Sequence, residues 1–302
     1  MTRVLSRPPA HPLPSPGVVL ELLKPITWFP PMWAFACGVV SAGVPLRDQW
    51  PVLLLGVVLA GPLLCAASQA VNDWFDRHVD AINEPQRPIP SGRVPGRWGL
   101  YIAVGWSLLS LAVATLLGPW VFAAAALGVA LSWAYSAPPL RLKRNGWYGN
   151  AAVGLSYESL AWITGAAAVL GGGAPAAPVL LLALLYGIGA HGIMTLNDYK
   201  SIEGDRRSGV GSLPARLGPR TAAWLACGFM ALPQLAVVLL LLDWQRPWHA
   251  LGVAAVLAVQ LAMMARFVRQ PVERALWLSA FGVNFYVAGM MIAAFAARGV
   301  VA

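Results

Sequence analysis

The chain has 302 residues, 58% of them hydrophobic and only 11% charged. A soluble domain carries roughly 25% charged residues, so an ordinary cytosolic enzyme and a disordered chain are both excluded. The net charge is +9, from 21 Lys and Arg against 12 Asp and Glu. Membrane proteins concentrate such an excess in cytoplasmic loops, and on that account no nucleic-acid partner is expected.

Residues 1–20 are Pro-rich and hold neither the apolar stretch of a cleavable signal nor a convincing transit peptide. Residues 21–302 are expected to form one domain, all-α and polytopic. Crossing a bilayer takes ~20 apolar residues. Apolar runs near 26–46, 51–71, 98–117, 119–137, 148–170, 177–197, 221–242, 248–265 and 275–297 predict nine transmembrane helices. Gly118-Pro119 and Gly171-Gly172-Gly173 are short uncharged breakers that turn the third span into the fourth and the fifth into the sixth. Cys37, Cys65 and Cys227 stand alone inside apolar runs, without a CxxC, and read as core filler.

Charge sets the expected orientation. With nine spans, Arg47, Arg246 and Arg298 fall on one side and every other Lys and Arg on the side of the N-terminus. The N-terminus is therefore expected in the cytoplasm. Most acidic residues share that side, clustered in two segments. The first closes the second span: Asn72-Asp73-Trp74-Phe75-Asp76-Arg77-His78-Val79-Asp80, followed by AINEPQRPIPSGR. The second closes the sixth: Asn197-Asp198-Tyr199-Lys200-Ser201-Ile202-Glu203-Gly204-Asp205, followed by RRSGVGSLP. Both begin Asn-Asp-aromatic, end in Asp, and precede a Ser-Gly and a Pro, a weak internal repeat.

At 3.6 residues per turn, Asn72, Asp76 and Asp80 share one helix face, and so do Asp198 and Asp205 if their helix continues. Like charges at i,i+4 disfavour a helix by ~0.2–0.5 kcal/mol per pair. An Asp73–Arg77 pair at i,i+4 is expected to offset part of this, with Arg87, Arg93 and Arg97 following in the chain. A solvated, self-neutralised helix end accounts for one such segment but not for two. Oxygen ligands without Cys or a His set suit Mg²⁺, which takes one or two carboxylates and fills its shell with water and substrate phosphate. Between the fourth and fifth spans, Tyr135-Ser136-Ala137-Pro138-Pro139-Leu140-Arg141-Leu142-Lys143-Arg144 brings three cations within four residues. It is either a positive-inside anchor or a diphosphate clamp built on Tyr135 and Lys143.

An NxxxDxxxD segment after the second span, an Asp-rich segment after the sixth and a Tyr-to-Lys loop between them resemble the UbiA superfamily of intramembrane prenyltransferases. The resemblance covers nearly the whole chain. NDWFDRHVDAINEPQRPIPSGR and NDYKSIEGDRRSGVGSLP are most similar to its chlorophyll and bacteriochlorophyll synthase branch. This implies a nine-helix UbiA-type bundle in a bacterial cytoplasmic or intracytoplasmic photosynthetic membrane, with the active site on the cytoplasmic side. The implied reaction is Mg²⁺-dependent transfer of a geranylgeranyl or phytyl group from its diphosphate to the propionate of (bacterio)chlorophyllide. Pigment-protein assembly partners are compatible with it.

By the family motif, Asn72, Asp76, Asp80, Asp198 and Asp205 carry over as Mg²⁺ ligands. Arg77, Tyr135, Lys143 and Arg206 carry over as diphosphate contacts, with Arg141 and Lys200 as further candidates. Asp76, Asp80, Asp205 and Lys143 are the expected catalytic set. One departure is that many relatives carry DxxxD in the second motif, whereas Ser201 stands four residues before Asp205 here, so Asp198, Ser201 and Glu203 compete for the second metal. Glu158, an intramembrane acid, is expected in the cavity, with a hydrogen-bonded structural role as the alternative. His191 is a candidate axial ligand for the tetrapyrrole, against ordinary packing. Competing functions are another UbiA-type enzyme with an aromatic-acid or haem acceptor, an ion-coupled transporter, and a pigment-assembly scaffold.

Overall fold

The structure is a computed structural model and describes residues 13–301. Residues 1–12, most of the expected Pro-rich segment, lie outside the described residues; its remainder enters helix α1, Pro16–Leu23. The described chain is helical apart from turns and one isolated bridge. It continues through α2 (Phe29–Ser41), α3 (Trp50–Asn83), α4 (Trp98–Thr115) and α5 (Pro119–Ser136). The rod α6 runs through Gly146–Gly154, Leu155–Leu160 and Ala161–Val169. Then come α7 (Ala177–Arg207), α8 (Pro219–Asp243), α9 (Pro247–Arg269) and α10 (Pro271–Val301).

Proline starts many of these helices. Pro119, Pro219, Pro247 and Pro271 each hold the first helical position, where the missing N–H costs no hydrogen bond and φ is already helical. Between α4 and α5, Gly118 takes φ +106°, and its Cα meets Gly172 in the α6–α7 turn so closely that a Cβ on Gly118 would lie 2.5 Å from it. The two short turns thus abut at one end of the bundle.

Seven helices, α3–α5 and α7–α10, are long and apolar enough to cross a bilayer. The other two expected spans differ for physical reasons. The first opens in a short 3-10 turn, Pro25–Thr27, and its α-helix ends at Ser41 ahead of Gly43 at φ +78°, which leaves α2 with 13 residues. The fifth, α6, carries Asn150, Ser156, Tyr157, Glu158 and Ser159 through its middle, which lowers its hydropathy. The motif helices α3 and α7 outrun their apolar runs because the polar motifs remain helical past them.

Sequence neighbours pack as spatial neighbours, and α10 returns to α2. Without a hydrophobic drive between helices in lipid, close approach and interhelical hydrogen bonds hold such a bundle. Gly38 of α2 lies under the Trp162 carbonyl, and Gly165 of α6 lies under the Phe35 carbonyl, so each helix indents the other. Indole N–H groups tie neighbours together: Trp33 to the Val287 carbonyl at 2.9 Å, Trp162 to Ser41 Oγ at 2.9 Å, and Trp106 to the Pro62 carbonyl at 3.0 Å. Away from the main core, Gln234 donates to Gln260 at 2.6 Å and Gln260 to the Gly282 carbonyl at 3.0 Å, joining α8, α9 and α10.

Gly165→Ala therefore drives a methyl into the Phe35 carbonyl. Overpacking of this kind costs about 1–3 kcal/mol, and we expect a lower unfolding temperature in detergent. Gly105→Ala, in α4 with open space around it, is expected to leave that temperature unchanged or raised.

Candidate active site

The two motif helices and the basic loop meet at one end of the bundle. The 137–145 loop is stitched to the segment after the second motif by Gly146 N–H to the Gly211 carbonyl and Gly211 N–H to the Arg144 carbonyl, both 2.8 Å. The same loop reaches the first motif through Lys143, whose Nζ lies 2.6 Å from Asp76 Oδ1. Asn72 completes this group, its amide oxygen accepting from Lys143 Nζ at 3.2 Å and its nitrogen donating to Asp76 Oδ2 at 3.3 Å. Arg141 adds a longer approach to Asp76 at 3.8 Å. Burial pushes the Lys143 ammonium below the usual lysine range, and the Asp76 carboxylate opposes this only in part.

The third motif carboxylate has its own cation. Arg87 Nη1 donates to Asp80 Oδ2 at 2.9 Å, while Nε and Nη2 grip Glu84 at 2.8 and 2.6 Å. The same Nη1 lies 3.6 Å from Asp73. The expected Asp73–Arg77 pair does not form. Asp73, its side chain only 1% exposed, takes Lys24 from the start of the chain at 2.6 Å. Arg77 instead donates to the Trp74 carbonyl at 2.6 Å and lies 4.0 Å over the Trp74 ring. The reason is reach: Asp73 faces inward toward α1, and Arg77 turns onto the aromatic surface beside it.

On the second motif, Asp198 accepts from the Asn150 amide at 3.3 Å. Asp205 accepts from Ser201 Oγ at 2.9 Å and from Ser212 Oγ at 2.5 Å. Ser201, at the position of the DxxxD departure, therefore braces Asp205. Glu203 points outward to Arg207 at 3.1 Å. Arg206 is exposed, with Nε 3.4 Å from the Ala215 carbonyl.

Both motifs open onto one cavity of about 550 Å³, within the range of small-molecule sites. Its mouth is lined by Asn72, Tyr135, Asp198, Lys200 and Ser201. Tyr135 lies within the electrostatic reach of Asp198, Asp76 and Asp205, so it stands between the two motifs. Below the mouth come Ser68, Gln69, Tyr157 and Glu158, and deeper still Ala60, Ala124, Ala161 and Thr164. From Asn72 to Ala60 along α3 is roughly 18 Å at the α-helical rise. Glu158 is 6% exposed, and its Oε2 has no hydrogen-bond partner.

His191 stands apart. It is not among the cavity-lining residues. Its ring stacks on Phe229 at 4.3 Å and tilts toward Trp147 at 5.8 Å.

Among the described residues no three His, Cys, Asp or Glu side chains converge as a ready metal cage. The donor set fits Mg²⁺ in another way. Asp198 is a cavity-lining carboxylate whose hydrogen-bond partner is a neutral amide, Asn72 lines the same mouth, and Asp76 lies beside Asn72, 3.3 Å from its amide nitrogen. An ion that takes one or two carboxylates and completes its shell with water and phosphate oxygens matches this arrangement.

Sequence reasoning missed Lys24, Asn150 and the group around Tyr157, and gave Arg87 only as one of the cations that follow the first motif, without its partners. The RPIPSG run carried a signal for Arg87. The others have no local signature, because their partners are tens of residues away.

The UbiA prenyltransferase family model matches residues 27–297. The "Bacteriochlorophyll synthase 33 kDa chain" of Cereibacter sphaeroides is 57% identical over 96% of both chains. The protein of the same description from Rhodobacter capsulatus is 55% identical over 97% of both. The structure of a UbiA homolog from Archaeoglobus fulgidus bound to GPP and Mg²⁺ superimposes with a TM-score of 0.70 at 20% identity, covering 94% of this chain and 99% of that one. The chain belongs to the UbiA prenyltransferase family. It is accordingly a multi-pass membrane prenyltransferase.

Two outcomes follow from this geometry. Arg87→Met leaves Asp80 and the buried Asp73 short of a cation. An unsatisfied buried polar group costs about 1–3 kcal/mol, so the unfolding temperature should drop, more than for Arg207→Met on the exposed Glu203 pair. The second concerns pH. A lysine with a lowered pKa loses its charge earlier as pH rises, so affinity for an anionic substrate should fall below the usual lysine value of ~10.4. Lys143→Arg, charged throughout, should move that alkaline limb upward in a plot of diphosphate KM against pH.

Proposed function

We propose that this chain is a bacteriochlorophyll or chlorophyll synthase. It transfers a geranylgeranyl or phytyl group from the diphosphate to the propionate carboxylate of (bacterio)chlorophyllide. The observation that carries the reading is a single apolar cavity whose mouth joins residues of both acidic motifs, Asn72 and Asp198. Near-full-length identity to the bacteriochlorophyll synthase chains supports the choice of acceptor.

The chemistry runs as follows. The diphosphate sits at the mouth, where Lys143, Arg141, Lys200 and Tyr135 hold its oxygens and Asn72, Asp76, Asp80, Asp198 and Asp205 supply the metal ligands. Mg²⁺, when bound, neutralises charge on the leaving diphosphate. When the diphosphate binds, the Lys143 ammonium exchanges its partner Asp76 for a phosphate oxygen. The isoprenoid chain extends down the apolar shaft, where water is scarce and hydrolysis is suppressed. The C–O bond breaks with its electron pair leaving on the diphosphate, and a propionate oxygen bonds to C1. A carboxylic acid with an ordinary pKa near 4 is ionised at neutral pH, so no general base is needed. Glu158 borders the shaft. His191, whose buried Nδ1 has no hydrogen-bond partner among the described residues, stays the candidate tetrapyrrole ligand, although its ring packs on Phe229 outside the cavity lining.

Nine crossings go with this function, α2 and the polar α6 joining the seven long helices, with the N-terminus and active site cytoplasmic. The partition of Lys and Arg supports that orientation. The membrane is the bacterial cytoplasmic or intracytoplasmic photosynthetic membrane.

The test is an incubation of membranes holding the chain with Mg²⁺, labelled geranylgeranyl diphosphate, and separately bacteriochlorophyllide, chlorophyllide, an aromatic acid and haem. Label should enter the ester of a chlorophyllide. Asp76→Ala should abolish transfer while the protein still inserts. Transfer to the aromatic acid alone, or full activity of Asp76→Ala, overturns the reading.

A further inference from the structure

Below the mouth, the wall of the cavity carries a hydrogen-bonded group that the diphosphate and metal chemistry does not use. Tyr157 lies on the π-helical turn of α6, Leu155–Leu160. Its hydroxyl meets three residues of α3: Gln69 Nε2 at 3.0 Å, Ser68 Oγ at 3.2 Å and Cys65 Sγ at 3.4 Å. Proton accounting fixes the directions. The Gln69 amide donates to the phenol oxygen. Ser68 spends its own proton on the Cys65 carbonyl at 2.7 Å, so the Tyr157 O–H donates to Ser68. The phenol is thus pinned at its far end, and its ring spans from α6 to α3.

All four of these residues line the cavity. Gln69 is three residues before Asn72, one turn deeper on the same face, ~4.5 Å along the axis. A diphosphate held at the level of Asn72 and Asp76 has its allylic C1 one bond below its oxygen, and that is the level of the pinned ring. The cavity is otherwise poor in aromatics. The chain has 14 Trp and 9 Phe, yet among the described residues none of them lines it, and Tyr157 and Tyr135 are its aromatic side chains. Tyr135 belongs to the mouth, between the carboxylates.

We propose that Tyr157 is a catalytic residue whose ring face stabilises the allylic cation. The inference rests on the prenyl-transfer reading above and adds to it the group that answers positive charge. As the C1–O bond breaks, the bonding pair leaves with the diphosphate and positive charge spreads over C1 and C3 of the prenyl group. A fixed aromatic face near that charge lowers its energy through the ring quadrupole. The α3 hydrogen bonds hold the ring so that no reorganisation is needed when the charge appears. Bond formation to the propionate oxygen then removes the charge, and no proton moves.

The experiment compares wild type, Tyr157→Phe, Tyr157→Leu and a series placing mono-, di- and trifluorophenylalanine at 157, each with geranylgeranyl diphosphate and chlorophyllide in detergent-solubilised protein. Tyr157→Phe keeps the ring but loses the hydrogen bonds that hold it, and should lose clearly less kcat than Tyr157→Leu. Tyr157→Leu should lose about tenfold or more in kcat, the scale of a desolvated cation–π contact, with the KM for the diphosphate little changed. In the fluorinated series log kcat should fall stepwise with each fluorine while the unfolding temperature stays near that of Tyr157→Phe. A flat fluorine series, or Tyr157→Phe as damaged as Tyr157→Leu, overturns the proposal and leaves the hydroxyl as a brace between α3 and α6. Absence of transfer by wild type would instead refute the prenyl-transfer reading.

Discussion

A carboxylate at the edge of a bilayer must be answered by a cation or by hydrogen-bond donors, since an unpaired buried charge costs several kcal/mol. The arrangement of this chain follows from how it meets that demand. Asp76 is answered by Lys143 from the 137–145 loop, Asp80 by Arg87, Asp73 by Lys24 near the start of the chain, and Asp205 by Ser201 and Ser212. Lys143 and Lys24 tie distant segments to the first motif helix, while Arg87, Ser201 and Ser212 fold the residues beside each motif back onto it. The ion pairs therefore do two things at once, keeping the acids tolerable without substrate and fixing the loops around the cavity mouth.

Under the proposed function, the same pairings account for how an anionic substrate would be admitted. Lys143 is partly desolvated and disfavoured as an ammonium, so a second anion beside it recovers charge–charge energy that Asp76 alone does not provide. Arg87 has the opposite task. Three of its nitrogens are spent on Asp80 and Glu84, which leaves it little freedom to follow a ligand. One cation is placed to exchange partners and the other to stay.

Much of the architecture is legible in the sequence. Apolar runs locate the rods, and their ends to within a few residues except at α2 and at the polar ends of the motif helices α3 and α7, since apolar length and Pro or Gly punctuation are local signals. The acidic repeats locate the cavity mouth, because helix geometry puts residues at i, i+4 and i+8 on one face. What was not legible depends on contacts across the bundle. The i,i+4 rule pairs Asp73 with Arg77, yet Lys24, 49 residues away, takes Asp73. An isolated-helix rule worth ~0.2–0.5 kcal/mol yields easily to a buried ion pair. Tyr157 offered no signal at all, because its partners are 88 to 92 residues distant.

The polar residues that spoil α6 as a membrane span are what makes the rod useful. Asn150, Tyr157, Glu158 and Ser159 would be a liability on a lipid-facing helix, where each unsatisfied group costs several kcal/mol. Turned inward they reach partners or the cavity: Asn150 meets Asp198, Ser159 donates to the Ala183 carbonyl at 2.8 Å, and Tyr157 joins α3. The π-helical turn at Leu155–Leu160 shifts the register so that consecutive polar side chains can serve different neighbours. Low hydropathy in the middle of a membrane rod thus marks the wall of the cavity, and under the proposed function that of the reaction chamber. It identifies the wall against which a charged or polar intermediate can be held, while the fully apolar helices keep the lipid outside.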